Sequence, residues 1–218
     1  MKISLILLAA GLGSRMNLGY NKMFYKIGNE TVIEKCLSCF KDNDFINEII
    51  VVINKADEKP LKELLNDASL KYVYGGQERY DSVYNGLNQV SNEYVLIHDG
   101  ARCFLDEQSL ANIIEATLKY DSACLVVKAK DTIHLADNDL YLNTTLNRHN
   151  TYLAQTPQGF KTSLIKDVYH KFFADKSILT YLTDDAMLVN ELSDTRVKLV
   201  AGSYANIKVT TIEDTKND

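Results

Sequence analysis

The sequence predicts a doubly wound α/β fold, a single largely parallel sheet with helices on both faces. Three observations predict it. Short apolar runs that do not alternate recur at residues 4–10, 48–54 and 94–99, as strands buried on both faces require. A segment with helical spacing of apolar residues follows each run, and the connections between them are short. At 218 residues the chain is long enough for one sizeable core, so 1–218 is read as one domain.

Residues 4–10 form the first strand, which stops at small residues and opens into the loop Gly11-Leu12-Gly13-Ser14-Arg15-Met16. Thr31-x-x-Glu34 is a capping box ahead of Val32, Ile33, Cys36, Leu37 and Phe40, which share one helical face. A second strand over 48–54 leads to a helix over 57–68 with Pro60 in its first turn. A short strand over 71–76 ends at Gly75-Gly76, and a helix over 79–90 carries Val83, Leu87 and Val90. The strand 94–99 precedes a helix after Asp106 marked by Leu110, Ile113, Ile114, Thr117 and Leu118.

At Asp131 the pattern changes. Residues 131–157 alternate polar and apolar around the turn Ala136-Asp137-Asn138-Asp139, with too few apolar positions to bury both faces, and predict a protruding β-hairpin arm. An exposed flat hairpin is a liability unless a partner covers it, so the arm is expected to serve dimerisation; a lid or surface excursion of a monomer is the alternative. A helix over 164–173, a capped helix beginning at Thr183 with Asp184 and Asp185 in its first turn, a strand over 196–201 and a strand end at 206–210 complete the chain.

The 24 Lys and Arg against 29 Asp and Glu give a net charge of -5, which argues against a large nucleic-acid footprint and leaves room for a local basic pocket. No run approaches the ~18 apolar residues of a membrane helix. Lys2 before an apolar run imitates a secretory signal, but the run is short and leads straight into a cationic loop, so a soluble, cytoplasmic protein without membrane or nucleic-acid partners is expected. The four cysteines, Cys36, Cys39, Cys103 and Cys124, lack a matching Cys or His pair and read as small hydrophobes. His98, His134, His149 and His170 have no ligand spacing, so no zinc site is expected.

The first loop is a candidate phosphate cradle. Backbone N–H groups in a Gly-rich turn can face an anion, and Arg15 and Lys22 add two cations that a structural turn does not need. The dinucleotide-binding fingerprint is not met: its third glycine falls at Met16, and Asn54 stands where the second strand would end in an acidic residue. A nicotinamide-dependent oxidoreductase is therefore disfavoured. Asp99 closes a strand at the edge where ligands gather in such sheets, although an N-cap or turn residue would look the same.

L-A-A-G-L-G-S-R-M with N-K-M-F, G-G-Q-E-R-Y-D-S-V-Y-N-G-L, H-D-G-A-R, K-D-T-I, A-Q-T-P-Q, T-D-D-A and N-I-K-V-T follow one another along essentially the whole chain. In this order they resemble the 2-C-methyl-D-erythritol 4-phosphate cytidylyltransferases of non-mevalonate isoprenoid synthesis, whose fold is a Rossmann-like sheet. The resemblance implies transfer of CMP from CTP to the 4-phosphate of methylerythritol, with pyrophosphate released and Mg²⁺ or another divalent cation assisting. Arg15, Lys22 and Lys208 match the family's catalytic cations. Ala9, Ala10, Gly11, Gly13, Gly75, Gly76 and Ser82 match its CTP-binding positions. Asp99, Arg102, Thr132, Arg148 and Thr183 match the acceptor site, and Asp99 also the metal. In the family the positions of Thr132 and Arg148 reach the active site of the other subunit, which implies a functional homodimer.

Two departures adjoin the acceptor pocket: Cys103 replaces a usual Pro, and His134 a usual Lys or Arg. The related ribitol 5-phosphate enzymes share loop and fold, while the K-D-T-I segment and hairpin look more like the methylerythritol branch. A catalytically silent nucleotide-binding module is the alternative of another class; retention of Arg15, Lys22 and Lys208 together weighs against it.

Overall fold

Apolar residues on both faces put β1 (Ile3–Leu8) at the centre of the molecule: Ile3, Leu5 and Leu7 pack to one side and Ile6 to the other, all fully buried. The structure is a computed structural model that describes residues 1–11, 16, 18–179 and 181–215. A two-residue pair, β2 (Lys26–Ile27) and β3 (Glu30–Thr31), precedes α1 (Val32–Lys41). Thr31 Oγ1 accepts from the Glu34 N–H while the Glu34 carboxylate accepts from the Thr31 N–H at 2.8 Å, the expected capping box. Strand and helix then alternate through β4 (Ile46–Ile53), α2 (Glu58–Leu65), β5 (Lys71–Tyr74), α3 (Arg79–Leu87), β6 (Tyr94–Asp99) and α4 (Glu107–Tyr120). After β7 (Ser122–Lys128) come the short β8 (His134–Ala136) and β9 (Leu142–Thr145), then β10 (Tyr152–Lys161). The helices α5 (Thr162–Ala174) and α6 (Asp185–Leu192) and the edge strand β11 (Lys198–Ala201) follow.

The seven-stranded sheet runs β11-β7-β10-β6-β1-β4-β5, and β10 alone among these strands is antiparallel to its neighbours. Helices α1, α2 and α4 pack one face and α3, α5 and α6 the other. Both faces are thereby covered, the condition for strands that read as continuous apolar runs. Gly159 lets β10 pass beneath α4, since a Cβ there would collide with Thr117 of that helix and with Leu96 of β6.

Several boundaries differ from expectation. Ser122–Lys128 is a further strand beyond those expected, although Ala123-Cys124-Leu125-Val126-Val127 is a continuous apolar run of the same kind as those at 4–10, 48–54 and 94–99. The hairpin arm is shorter than 131–157: only β8 and β9 pair as a separate ribbon, while Tyr152–Lys161 enters the central sheet between β6 and β7. The polar residues Gln155, Thr156 and Gln158 are buried there with hydrogen bonds made, which a polar-out reading of the segment could not anticipate. Asp184, not Thr183, caps α6, its Oδ1 accepting from the Met187 N–H at 2.8 Å. Helix α3 ends at Leu87, before Val90. Residues 206–210 form no strand; Asn206 N–H bonds Ser203 O at 3.1 Å, Ile207 N–H bonds Ala205 O at 2.7 Å and Val209 N–H bonds Ala101 O at 2.8 Å.

Candidate active site

At the C-terminal ends of β1, β4, β5 and β6 a cavity of about 550 Å³ opens, lined by Ala10, Gly11, Lys22, Asn54, Gly76, Arg79, Ser82, Asp99 and Lys208 among others. A second of about 250 Å³ adjoins it, with Arg102, Thr156, Gln158, Thr183 and Asp184 in its wall. Arg79, Asp99 and Lys208 line both, so they form the partition between the two spaces. The edge follows from topology: parallel strands end there together, and the chain leaves β1 toward β4 and β6 toward β7, in opposite directions along the sheet.

Beside the larger cavity, Gly75 sits against its wall residues Ala10 and Ser82 so closely that a Cβ would approach Ala10 Cβ and, at 2.8 Å, Ser82 Oγ. Ser82 Oγ accepts from the Gly76 N–H at 3.1 Å and donates to Glu78 O at 3.3 Å, which fixes the turn between β5 and α3. Ala9 is buried and Ala10 partly so, with the Ala9 N–H donating to Val52 O. Lys22 is buried, its Nζ donating to Val209 O at 2.8 Å, and Asn21 caps the turn that carries it. Gly13 and Arg15 lie outside the described residues.

On the partition, Lys208 Nζ donates to Asp99 Oδ2 at 2.6 Å, and Arg79 Nε lies 3.3 Å from Asp99 Oδ1. Burial alone would push the Asp99 carboxyl up; Arg79 and Lys208 outweigh it and hold the group ionised, well below the usual carboxylate range. Behind Asp99, His98 is fully buried. Its Nε2 faces the Arg102 carbonyl at 3.0 Å and so carries the proton, leaving Nδ1 to accept from the Thr156 hydroxyl at 3.1 Å. Thr156 Oγ1 in turn accepts from the Asp99 N–H at 3.0 Å. Burial lowers the imidazole to a pKa of about 4, so this neutral tautomer ties the 98–102 turn to β10.

Among the described residues Arg102 is held by carbonyls and not by a carboxylate: it donates to Asn206 O at 2.7 Å and to Ala154 O at 3.4 Å, and its Nε has no partner there. Burial depresses its pKa, against the opposing pull of Asp99. Such a guanidinium, oriented yet not neutralised, suits an anionic group entering the smaller cavity. Thr183 is exposed at that cavity's rim. Thr132 and Arg148 stand apart on the arm, exposed, with Arg148 Nη1 donating to Lys130 O at 3.4 Å; neither lines the cavities of its own chain. The structure thus brings Lys22, Gly75, Gly76, Ser82, Asp99, Arg102, Thr183 and Lys208 to one edge.

The family model for 2-C-methyl-D-erythritol 4-phosphate cytidylyltransferase (IspD) matches residues 3–217. The chain belongs to this family. The curated cytidylyltransferase of that name from Geobacillus kaustophilus is 40% identical, over 98% of this chain and 94% of the relative. Its counterpart from Geobacillus thermodenitrificans is 41% identical over the same shares. Among solved structures, a 4-diphosphocytidyl-2C-methyl-D-erythritol synthase from Anaerococcus prevotii superposes with a TM-score of 0.88 at 37% identity, covering 98% of this chain and 92% of that one. The Thermus thermophilus cytidylyltransferase gives 0.81 at 29% identity, with 99% and 96% covered.

Sequence reasoning missed Arg79, Asn54, Thr156, Gln158 and Asp184 as wall residues of this IspD-family site. Arg79 offered one signal. A cation in the first turn of a helix opposes the helix dipole and needs a partner to justify it.

Proposed function

We propose that the protein transfers CMP from CTP to the 4-phosphate of 2-C-methyl-D-erythritol, forming 4-diphosphocytidyl-2-C-methyl-D-erythritol and pyrophosphate. The observation that carries this reading is the shared partition: Asp99, Lys208 and Arg79 border both cavities, so two phosphate-bearing substrates seated on either side would meet there. A phosphate oxygen of the acceptor attacks the α-phosphorus of CTP, forming one P–O bond as the bond to the bridging oxygen breaks and pyrophosphate leaves. The nucleophile is already an anion and needs no base. Catalysis therefore rests on alignment and on cations placed where charge collects, the role we assign to Arg15, Lys22 and Lys208. The close approach at Gly75 and Gly76, with the hydroxyl oxygen of Ser82 in the cavity wall, favours the edge of a pyrimidine over a purine. Arg102, Thr183 and the arm residues Thr132 and Arg148 of a second subunit are assigned to the acceptor.

Among the described residues no three His, Cys, Asp or Glu side chains are grouped to hold a metal. The carboxylate common to both cavities, Asp99, nevertheless fits Mg²⁺, an ion held by one or two carboxylates together with substrate phosphates. Bound there, it would neutralise phosphate charge. It would share Asp99 with Lys208 and Arg79, which engage the two carboxylate oxygens.

The test is pyrophosphate release by purified protein given each of the four nucleoside triphosphates with methylerythritol 4-phosphate or ribitol 5-phosphate. CTP with methylerythritol phosphate should be turned over fastest, with UTP the nearest competitor. Equal use of purines would refute the pyrimidine pocket, and faster turnover of ribitol phosphate would reassign the acceptor.

A further inference from the structure

Arg79 heads α3, where backbone N–H groups already concentrate positive charge, and it answers to two carboxylates at once. Its Nη2 donates to Asp185 Oδ2 at 2.8 Å, and its Nε lies 3.3 Å from Asp99 Oδ1. Asp185 is fully buried at the head of α6, and its other oxygen accepts from the hydroxyl of Tyr169, fully buried on α5, at 2.6 Å. Asp99 gives its own second oxygen to Lys208. Tyr169, Asp185, Arg79, Asp99 and Lys208 thus form a relay from the interior of a helix layer to the partition between the cavities. An ion pair that merely joined α3 to α6 would need only the Nη2 contact with Asp185. The Nε contact reaches out of that layer to the end of β6.

We propose that Arg79 is a positioning residue for the transfer reaction, holding Asp99 at the partition when Lys208 turns from it to the phosphates of the substrates. This rests on the cytidylyl-transfer reading above. Lys208 lies on a segment without regular secondary structure, and its side chain is 37% exposed, so incoming phosphates compete with Asp99 for its ammonium. Arg79 is anchored from behind by Asp185, both of whose oxygens are engaged, and does not leave with Lys208. Its planar fork reaches two carboxylates together, which the point charge of a lysine cannot do.

The test measures initial rates of pyrophosphate release, at varied CTP and methylerythritol phosphate, for full-length Arg79→Lys, Asp99→Asn and the double variant. Arg79→Lys should lower kcat about ten-fold with KM for CTP changed by no more than about two-fold, the pattern of a group that matters after binding. On the Asp99→Asn background the same substitution should cost less than about two-fold, because its target is gone. Wild-type kcat in Arg79→Lys, or an equal loss on both backgrounds, overturns the proposal. If melting curves show that Arg79→Lys does not fold, Tyr169→Phe runs the same cycle, with a loss of about three-fold expected that vanishes beside Asp99→Asn. If Asp99→Asn is too slow to follow, the split decides: a loss confined to KM overturns the role. Wild-type protein that releases no pyrophosphate with any pair of substrates overturns the underlying reading, and needs no variant to be recognised.

Discussion

Lys22 brings a full charge into a nearly dry place, which a protein tolerates only when the ammonium is bonded. Its bond to Val209 O joins it to the segment that carries Lys208, so the two cations reach the larger cavity from opposite ends of the chain. If Lys22 stabilises charge that grows on the transferring phosphoryl group, Lys22→Ala should lower kcat on the order of a hundred-fold while weakening CTP binding far less. Initial rates beside an equilibrium CTP titration check this, and wild-type turnover would refute it. Residues of this kind were legible in the sequence, because charges and glycines just past apolar strands have few structural reasons to be there. Arg79 and His98 were not. Arg79 depends on partners 20 and 106 positions away, and the bond that ties His98 to β10 runs to Thr156, 58 positions on; one-dimensional spacing names none of these partners.

Elements follow the same division between local and distant causes. The capping box of α1 and the apolar runs of β1, β4 and β6 are local, and the fold agrees with them. The entry of Tyr152–Lys161 into the sheet is decided by hydrogen-bond partners on β6 and β7, so its polar residues read as surface until those partners are seen. A buried carboxylate at the opposite end of the sheet gives an element-level prediction. Glu48 of β4 accepts from Ser4 of β1, from Lys71 of β5 at 2.5 Å and from the Ser91 N–H at 3.0 Å. Burial pushes its carboxyl up, but the hydrogen bonds from Lys71, Ser4 and Ser91 prevail and lower the pKa from 4.5 to about 2. A depressed folded-state value stabilises the fold above the unfolded-state pKa and is lost as pH falls, here between 4.5 and about 2. At neutral pH the contribution is on the order of 2–3 kcal/mol, allowing for the exposure of Lys71. Denaturant melts at stepped pH should show Glu48→Gln less stable near pH 7 and level with wild type at pH 2. An unchanged gap across that window would refute the role.

At the scale of the whole molecule, the arm makes little sense on one chain. Leu140, Tyr141 and Leu142 are 86%, 73% and 63% exposed, and the ribbon of β8 and β9 packs into neither apolar core cluster. A two-stranded ribbon with bare apolar side chains is marginal in water and needs a covering surface. Thr132 and Arg148 sit on this excursion, away from the cavities of their own chain. Both facts are met by a two-fold dimer in which each arm completes its neighbour's site. Subunit mixing distinguishes that arrangement from an arm that serves its own chain. Arg148→Ala and Lys22→Ala proteins should each be nearly inactive, whereas a mixed dimer has one site with both substitutions and one with neither. In an equal mixture after exchange, half the dimers are mixed and half of their sites are intact, so activity should return to about a quarter of wild type. If exchange is verified, by mass tags on the two chains, and activity stays at the level of the separate variants, Arg148 acts within its own subunit and the crossed-arm dimer is wrong.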